Sequence, residues 1–333
     1  MATSPSLRIL ASQKAIQSLE QALQTEKWSG LVGKVSFISS ETITPEYDFD
    51  IAFVSRDVTA TSTKQHLIPS TQAFYDLLAN SRQLKWVHVH SAGVDRPIFV
   101  SLIEKGVRVS NSSGSNSTVV ANAALAGILA LNRHLPRLWK AQQEHRWLPL
   151  VSAPFVTRDI EGQTAVILGR GPIAKRLEKS LRGLGMECKL VGFSTTTHPN
   201  AATSAYHFSQ MDALLPDADW LVLACPLTNE TRHLINQQKL DLLPSRACII
   251  NIARGEIIVE SDLIDALQSQ KLTGAYLDVF EIEPLSSNSP LWDLENVILT
   301  PHAAGHSDGN EKRVLHMFLE NLQEYLSQEM RKP

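Results

Sequence analysis

VILGRGPIA (166–174) is the stretch from which the rest of the chain is read. The apolar run TAVILG (164–169) has the look of a buried strand. It ends in Gly169 and Gly171, and Ala174, Leu177 and Leu181 then recur at helical spacing. This is a Gly-x-Gly-x-x-Gly/Ala pattern in a strand–turn–helix context, which makes it far more specific than a glycine pair alone. Gly169 permits the tight turn, and Gly171 lets main chain approach a pyrophosphate. Ala174 allows close helix–strand packing, and Pro172 and Ile173 occupy the first helical turn, whose free amides favour negative charge. The segment therefore predicts a dinucleotide site in a doubly wound α/β domain. Arg170 either adds a phosphate contact or points to solvent.

Working outward, strand candidates follow at KLVGFS (189–194), WLVLAC (220–225), CIINIA (248–253), GAYLDVF (274–280) and VILTPH (297–302), with helical stretches between several of them. Upstream, LRIL, KVSFIS, DIAFVS, LKWVHVH and VRVSN alternate with helical patterns, one of them at 70–81. This predicts a second, smaller parallel sheet covered by helices. Between the two regions runs one long helical pattern, 116–143, with Pro136 expected to bend or break it. A last helix is predicted over 307–329 from Val314, Leu315, Phe318, Leu319, Leu322, Tyr325 and Leu326.

Bulk composition narrows the function classes. A chain of 333 residues exceeds one ordinary core and predicts two domains. With 43% hydrophobic and 20% charged residues it is a folded, soluble type, and a net charge of -3 without basic blocks excludes nucleic acid as the expected partner. No stretch is long enough to span a membrane and no secretory leader is read at MATSPSLRIL. The three cysteines, Cys188, Cys225 and Cys248, lie in apolar strands, with spacing that fits neither a disulfide framework nor a zinc site. No metal is expected, and a reducing compartment, the cytoplasm, is.

Three segments near the C-terminus carry chemistry: NIARG (251–255), LDVFEIEPL (277–285) and TPHAAG (300–305). Arg254 is a permanent planar cation able to fork onto a carboxylate, with Glu256 or Glu260 as a local alternative partner. His302 exchanges a proton near neutral pH, and Glu283 is a carboxylate able to orient its ring. Hydride transfer to a 2-oxo acid needs these three groups beside a nicotinamide.

In these segments, together with GRGPIA, the chain resembles the D-isomer-specific 2-hydroxyacid dehydrogenases from about residue 84 onward. The resemblance implies two Rossmann-like or flavodoxin-like domains with the active site in the cleft between them. The substrate domain would be residues 1–115 completed by 304–333, and the cofactor domain 116–303. It implies NAD(P) as cofactor, His302 as proton donor, Glu283 as its partner and Arg254 as carboxylate clamp. Ala92 and Gly93 of HSAGVD (90–95) are the expected main-chain contacts to the substrate acid. CPLT (225–228) places Cys225 and Pro226 beneath the cofactor, with a plain strand exit as the alternative for Pro226. Asp278 matches the partner of the nicotinamide amide, its alternative being a turn carboxylate. A homodimer through the cofactor domain is implied as well.

Departures from the family pattern are informative. Asn122 stands where glutamate is usual, at a position expected to be structural. Glu283 separates the chain from formate dehydrogenases, and no regulatory domain is read after residue 333. The strand KLVGFS ends at Ser194 rather than at an acid, which leans the cofactor expectation towards NADP. The expected substrates are small 2-oxo acids such as glyoxylate and hydroxypyruvate; Arg56 is expected to face solvent, its alternative being to meet a polar or anionic substrate tail. A nucleotide-sensing binding protein, like corepressors of this fold, is the alternative function.

Overall fold

The computed structural model describes residues 6–43, 48–64, 66–151, 156–192 and 205–329. The chain divides into two compact units, Met1–Asn116 with Ser307–Pro333, and Ser117–His306.

The first unit holds β1 (Leu7–Ala11), α1 (Gln13–Leu23), β2 (Val35–Ser39), β3 (Ile51–Val54), α2 (Arg56–Thr59), α3 (Pro69–Asn80), β4 (Trp86–Val89), α4 (Pro97–Glu104) and β5 (Arg108–Asn111). Its five strands are parallel in the order β2-β1-β3-β4-β5. Alternate residues of each strand feed opposite faces, as the two-residue period requires. Ile9, Ile51, Phe53 and Trp86 pack with α1 and the C-terminal helix, whereas Leu10, Ala52, Val54, Val87 and Val89 pack with α3 and α4. The C-terminal helix belongs to this core: the Phe318 ring stacks on Phe53 at 4.5 Å, and Tyr325 on Trp86 at 5.2 Å.

The second unit begins with α5 (Ser117–Asn132) and α6 (Leu135–Gln143). It continues with β6 (Thr164–Leu168), α7 (Pro172–Gly183), β7 (Glu187–Gly192), β8 (Ala205–His207), α8 (Met211–Leu214), β9 (Trp220–Leu223), α9 (Gln237–Leu242), β10 (Cys248–Asn251), α10 (Glu260–Gln268), β11 (Gly274–Leu277) and β12 (Val297–Leu299). The C-terminal helix of the first unit is α11 (Asn310–Glu329). The second sheet is parallel in the order β12-β11-β10-β9-β6-β7-β8, with strand order reversing between β6 and β9. Ligands of such sheets bind beyond the carboxyl ends at that reversal.

The helical pattern over 116–143 forms two helices, a break being one of the two outcomes expected at Pro136. His134 adopts a left-handed backbone, φ 53°, immediately before α6, and Pro136 lies in the first turn of that helix. Proline there needs no amide partner and starts a helix readily, so the chain breaks ahead of it instead of bending at it. α5 packs tightly enough on the sheet that a Cβ on Gly127 would stand 2.5 Å from the Tyr276 ring. The short edge strand β8 had no counterpart in the sequence reading.

Candidate functional site

The glycine turn sits at the strand reversal. Gly169 follows β6 with φ +131°, and a Cβ there would meet the Ala224 carbonyl oxygen at 2.4 Å, so only glycine fits against the exit of β9. Gly171, the N-cap of α7, faces open space: nothing lies within 4 Å of where its Cβ would be. Pro172 is exposed and Ile173 half-buried behind it, while Ala174, Leu177 and Leu181 are buried. A twelve-residue helix therefore presents its amide end beside uncluttered main chain, which fits a dinucleotide pyrophosphate.

Arg170 folds across the end of β7. A Cβ on Gly192 would lie 2.6 Å from Arg170 Nε, and the guanidinium donates to the Tyr206 carbonyl at β8. Ser194, expected at the end of this strand, lies outside the described residues. Cys225 is buried, burial pushes its thiol up to about 11, and its main-chain nitrogen lies 3.2 Å from where a Gly169 Cβ would be. Pro226 is exposed, and its carbonyl accepts from Thr231 Oγ1 at 2.8 Å.

The catalytic candidates come from three successive strand ends. Arg254 leaves β10 in an extended conformation. Asn251 ties this exit down: its Oδ1 accepts from Ala253 N at 3.1 Å and its Nδ2 donates to the Arg254 carbonyl at 3.0 Å. Glu283 lies on the turn after β11, where its Oε1 accepts from Phe280 N at 3.2 Å. His302 follows β12 with φ 52°. Its amide donates to the Asp278 carbonyl at 2.8 Å, and its Nδ1 lies 2.8 Å from Glu283 Oε2.

An ionised carboxylate only accepts, so this geometry makes Nδ1–H the donor and leaves Nε2 to face outward. Burial alone would raise the Glu283 carboxyl. The hydrogen bond and charge of His302, then Phe280 N–H and the Arg254 charge, outweigh it and hold that carboxyl below its usual range. The sequence-predicted Arg254, Glu283 and His302 are thus brought to one edge of one sheet.

Asp278 is 2% exposed and organises the histidine loop. Its Oδ1 accepts from Thr300 Oγ1 at 2.6 Å, Ala303 N at 2.8 Å and Ala304 N at 3.0 Å. Its described bonds are thus those of a turn carboxylate, the alternative reading of this residue. Burial raises its carboxyl, against these donors and the charge of His302. Ala92 and Gly93 belong to the first unit, in the loop after β4, where the Ala92 carbonyl accepts from Asn111 Nδ2 and the Gly93 carbonyl from Ser91 Oγ. Among the described residues no cluster of ligating side chains could hold a metal, and no helix is long and apolar enough to cross a membrane.

Beneath the glutamate turn, sequence reasoning named Glu260 only as an alternative partner of Arg254 and gave Gly255, Glu281 and His233 no role. Gly255 supports it so closely that a Cβ would stand 1.8 Å from the Phe280 carbonyl carbon. Glu260 accepts from Glu281 N at 3.1 Å, and Glu281 Oε1 lies 3.0 Å from His233 Nε2. The available signal was the first glutamate of EIEP and the glycine after Arg254.

Residues 125–304 match the family described as D-isomer specific 2-hydroxyacid dehydrogenase, NAD binding domain. The chain is 32% identical to the glyoxylate reductase of Pyrococcus horikoshii over 252 residues, covering 74% of this chain and 75% of that protein. A D-isomer specific 2-hydroxyacid dehydrogenase family protein of Aeromonas salmonicida superposes with a TM-score of 0.74 at 26% identity, covering 98% of this chain and 97% of that one. An NADPH-dependent glyoxylate/hydroxypyruvate reductase of Sinorhizobium meliloti is 30% identical, with a TM-score of 0.52, over 59% of this chain and 97% of that one.

Proposed function

The chain belongs to the D-isomer specific 2-hydroxyacid dehydrogenases, and on that premise we propose that it reduces a small 2-oxo acid, glyoxylate or hydroxypyruvate, to the D-2-hydroxy acid. The observation that carries this reading is the 2.8 Å Glu283–His302 pair with the Arg254 charge beside it. Gly169, Gly171 and the amide end of α7 would hold NAD(P)H, which would supply the hydride. Arg254 forks onto the substrate carboxylate and turns one face of the ketone towards the cofactor. His302 gives its Nε2 proton to the carbonyl oxygen as C2 takes the hydride, and recovers it from solvent. Glu283 keeps the ring oriented and balances its positive charge before the proton leaves.

NADPH is the proposed preferred cofactor. Arg170 lies across the end of β7, where this class of fold meets the adenosine ribose, and a cation there suits a 2′-phosphate. Ala92 and Gly93 are proposed as main-chain contacts to the substrate acid, and Asp278, through whichever lone pairs the histidine loop leaves, as the nicotinamide amide partner. A homodimer through the second unit is proposed from exposed Leu129, Trp139 and Trp147, and a cytoplasmic location from three free, buried thiols.

Steady-state turnover of a panel of 2-oxo acids with each reduced cofactor tests the assignment. Glyoxylate or hydroxypyruvate should give the highest kcat/KM. A chain that binds cofactor yet turns over nothing faster than its His302→Ala variant would instead be a nucleotide-sensing binding protein.

A further inference from the structure

The four-residue turn Phe280–Glu283 bears two glutamates with separate tasks. Glu283 holds His302, whereas Glu281 reaches the opposite way, its Oε1 3.0 Å from His233 Nε2. The Glu281 amide donates to Glu260 Oε2 at 3.1 Å, and Glu260 opens α10. Side-chain packing anchors this turn at Phe280, while Ile282 is 67% exposed and Pro284 is exposed. From beneath, Gly255 allows the peptide between Phe280 and Glu281 to lie directly on the arginine turn. The hydrogen bonds at Glu281 therefore fix the rotation of that peptide about its contact with Gly255.

We propose that Glu260 is a positioning residue for the reduction, acting through the Glu281 amide to keep the Glu283 carboxylate on His302, with His233 as a second strut. The proposal rests on the catalytic reading of Glu283 and His302. A hydrogen bond fails within about 0.5 Å of its ordinary length, and Glu283 is two residues from the amide that Glu260 holds, so a modest rotation there breaks the Glu283–His302 contact. The charged groups around the turn are few. His302 and Arg254 act on Glu283, and Glu260 and His233 meet Glu281. The His233 amide donates to the Glu256 carbonyl at 2.8 Å, anchoring the second strut to the segment after Gly255. Burial raises the Glu260 carboxyl, opposed by the Glu281 amide and assisted by the Glu281 charge.

The test compares Glu260→Ala with Glu260→Gln, whose amide oxygen still accepts from Glu281 N. Two readouts are taken: the pH profile of kcat/KM for reduction, and the ¹⁵N shifts of the His302 imidazole, assigned by their loss in His302→Ala. Glu260→Ala should lower kcat about ten- to a hundredfold, the scale of an ångström-sized misplacement. It should also narrow the pH profile from both sides and replace the single Nδ1–H pattern by a mixture of tautomers. Glu260→Gln should restore all three. Unchanged nitrogen shifts and pH profile in Glu260→Ala, even with a lowered Tm, overturn the proposal.

If Glu260→Ala does not fold, His233→Ala on the exposed side of the turn takes its place. It should move the same readouts in the same direction by a smaller amount, and wild-type shifts and kcat in it overturn the proposal equally. Should the wild type reduce none of the 2-oxo acids, the functional reading fails while the nitrogen shifts still decide the positioning claim.

Discussion

Nδ1 of His302 lies 2.8 Å from Oε2 of Glu283, with the imidazole 49% exposed and the carboxylate 22% exposed. A half-exposed imidazole is thereby held through one nitrogen by a more enclosed carboxylate. His302→Ala should lower kcat by about 10²–10⁴-fold, the worth of a positioned general acid. In Glu283→Gln the alkaline limb of the reduction profile should move to lower pH, because the imidazolium loses its counter-charge. The Glu283 carboxyl is held below its usual range, so its contribution to stability is present above the unfolded value near 4.5 and is lost as pH falls through the depressed one. Glu283→Gln should therefore also flatten the Tm profile below about pH 4.5. A variant with wild-type profiles in both measurements would remove Glu283 from the mechanism.

The main chain at Arg254 is placed by Asn251, and its guanidinium donates to the Ala253 carbonyl at 2.7 Å. Arg254→Lys keeps the charge and loses the planar fork, so KM for the oxo acid should rise and kcat should fall together. Cofactor affinity, read by tryptophan fluorescence quenching, should hold. Loss of cofactor binding with an unchanged KM would reassign this residue to the nucleotide.

The glycine turn and the clustering of the three candidate groups, Arg254, Glu283 and His302, were legible because each depends on local sequence: a strand end, a residue type and its next neighbours. Strands of both sheets other than the edge strand β8 were readable for the same reason, since a sheet covered on both faces demands continuous apolar runs. What escaped depends on contacts distant in sequence. The hold of Glu260 on Glu281 joins the start of α10 to the end of β11, and no spacing rule announces it. Gly255 reads as an ordinary turn glycine until Phe280 is found against it. Asp278 shows the intermediate case: its position was singled out from the sequence, whereas its bonds to the loop of Ala303 and Ala304 follow from the register of β11 and β12. The break between α5 and α6 was visible only as Pro136, because the left-handed turn at His134 has no signature of its own.

His88 provides a measurement of acid lability in the first unit. Its ring is buried on β4 between Ser110 Oγ at 2.8 Å and Ser112 Oγ at 3.0 Å. Burial, with a smaller effect of His90, lowers its pKa to about 3. The unfolded chain takes up this proton near pH 6.5 and the folded chain does not. Its stabilising contribution is therefore complete above about pH 6.5 and falls by about 1.4 kcal/mol per pH unit below that, down to the folded value. Between pH 6.5 and 5, where carboxylates scarcely titrate, Tm should fall steadily in the wild type and less steeply in His88→Gln. Parallel slopes would show that His88 is protonated in the folded chain.

The proposed NADPH preference turns on the end of β7, where Arg170 crosses Gly192 and donates to Tyr206. An acid in that place would bind the ribose hydroxyls of NADH and repel the 2′-phosphate of NADPH. KLVGFS ends without one, and Arg170 brings a permanent positive charge to the same strand end. NADPH should therefore be preferred modestly, with NADH still used. Arg170→Ala should lower kcat/KM for NADPH about tenfold, the scale of one charge-assisted hydrogen bond, while leaving NADH nearly unchanged. Ser194→Asp should reverse the preference by restoring a ribose acceptor and repelling the phosphate. The measurement is kcat/KM for both reduced cofactors in the wild type and the two variants. A strong NADH preference in the wild type, or a ratio unmoved by Arg170→Ala, would mean that the guanidinium serves the Tyr206 carbonyl and not the nucleotide.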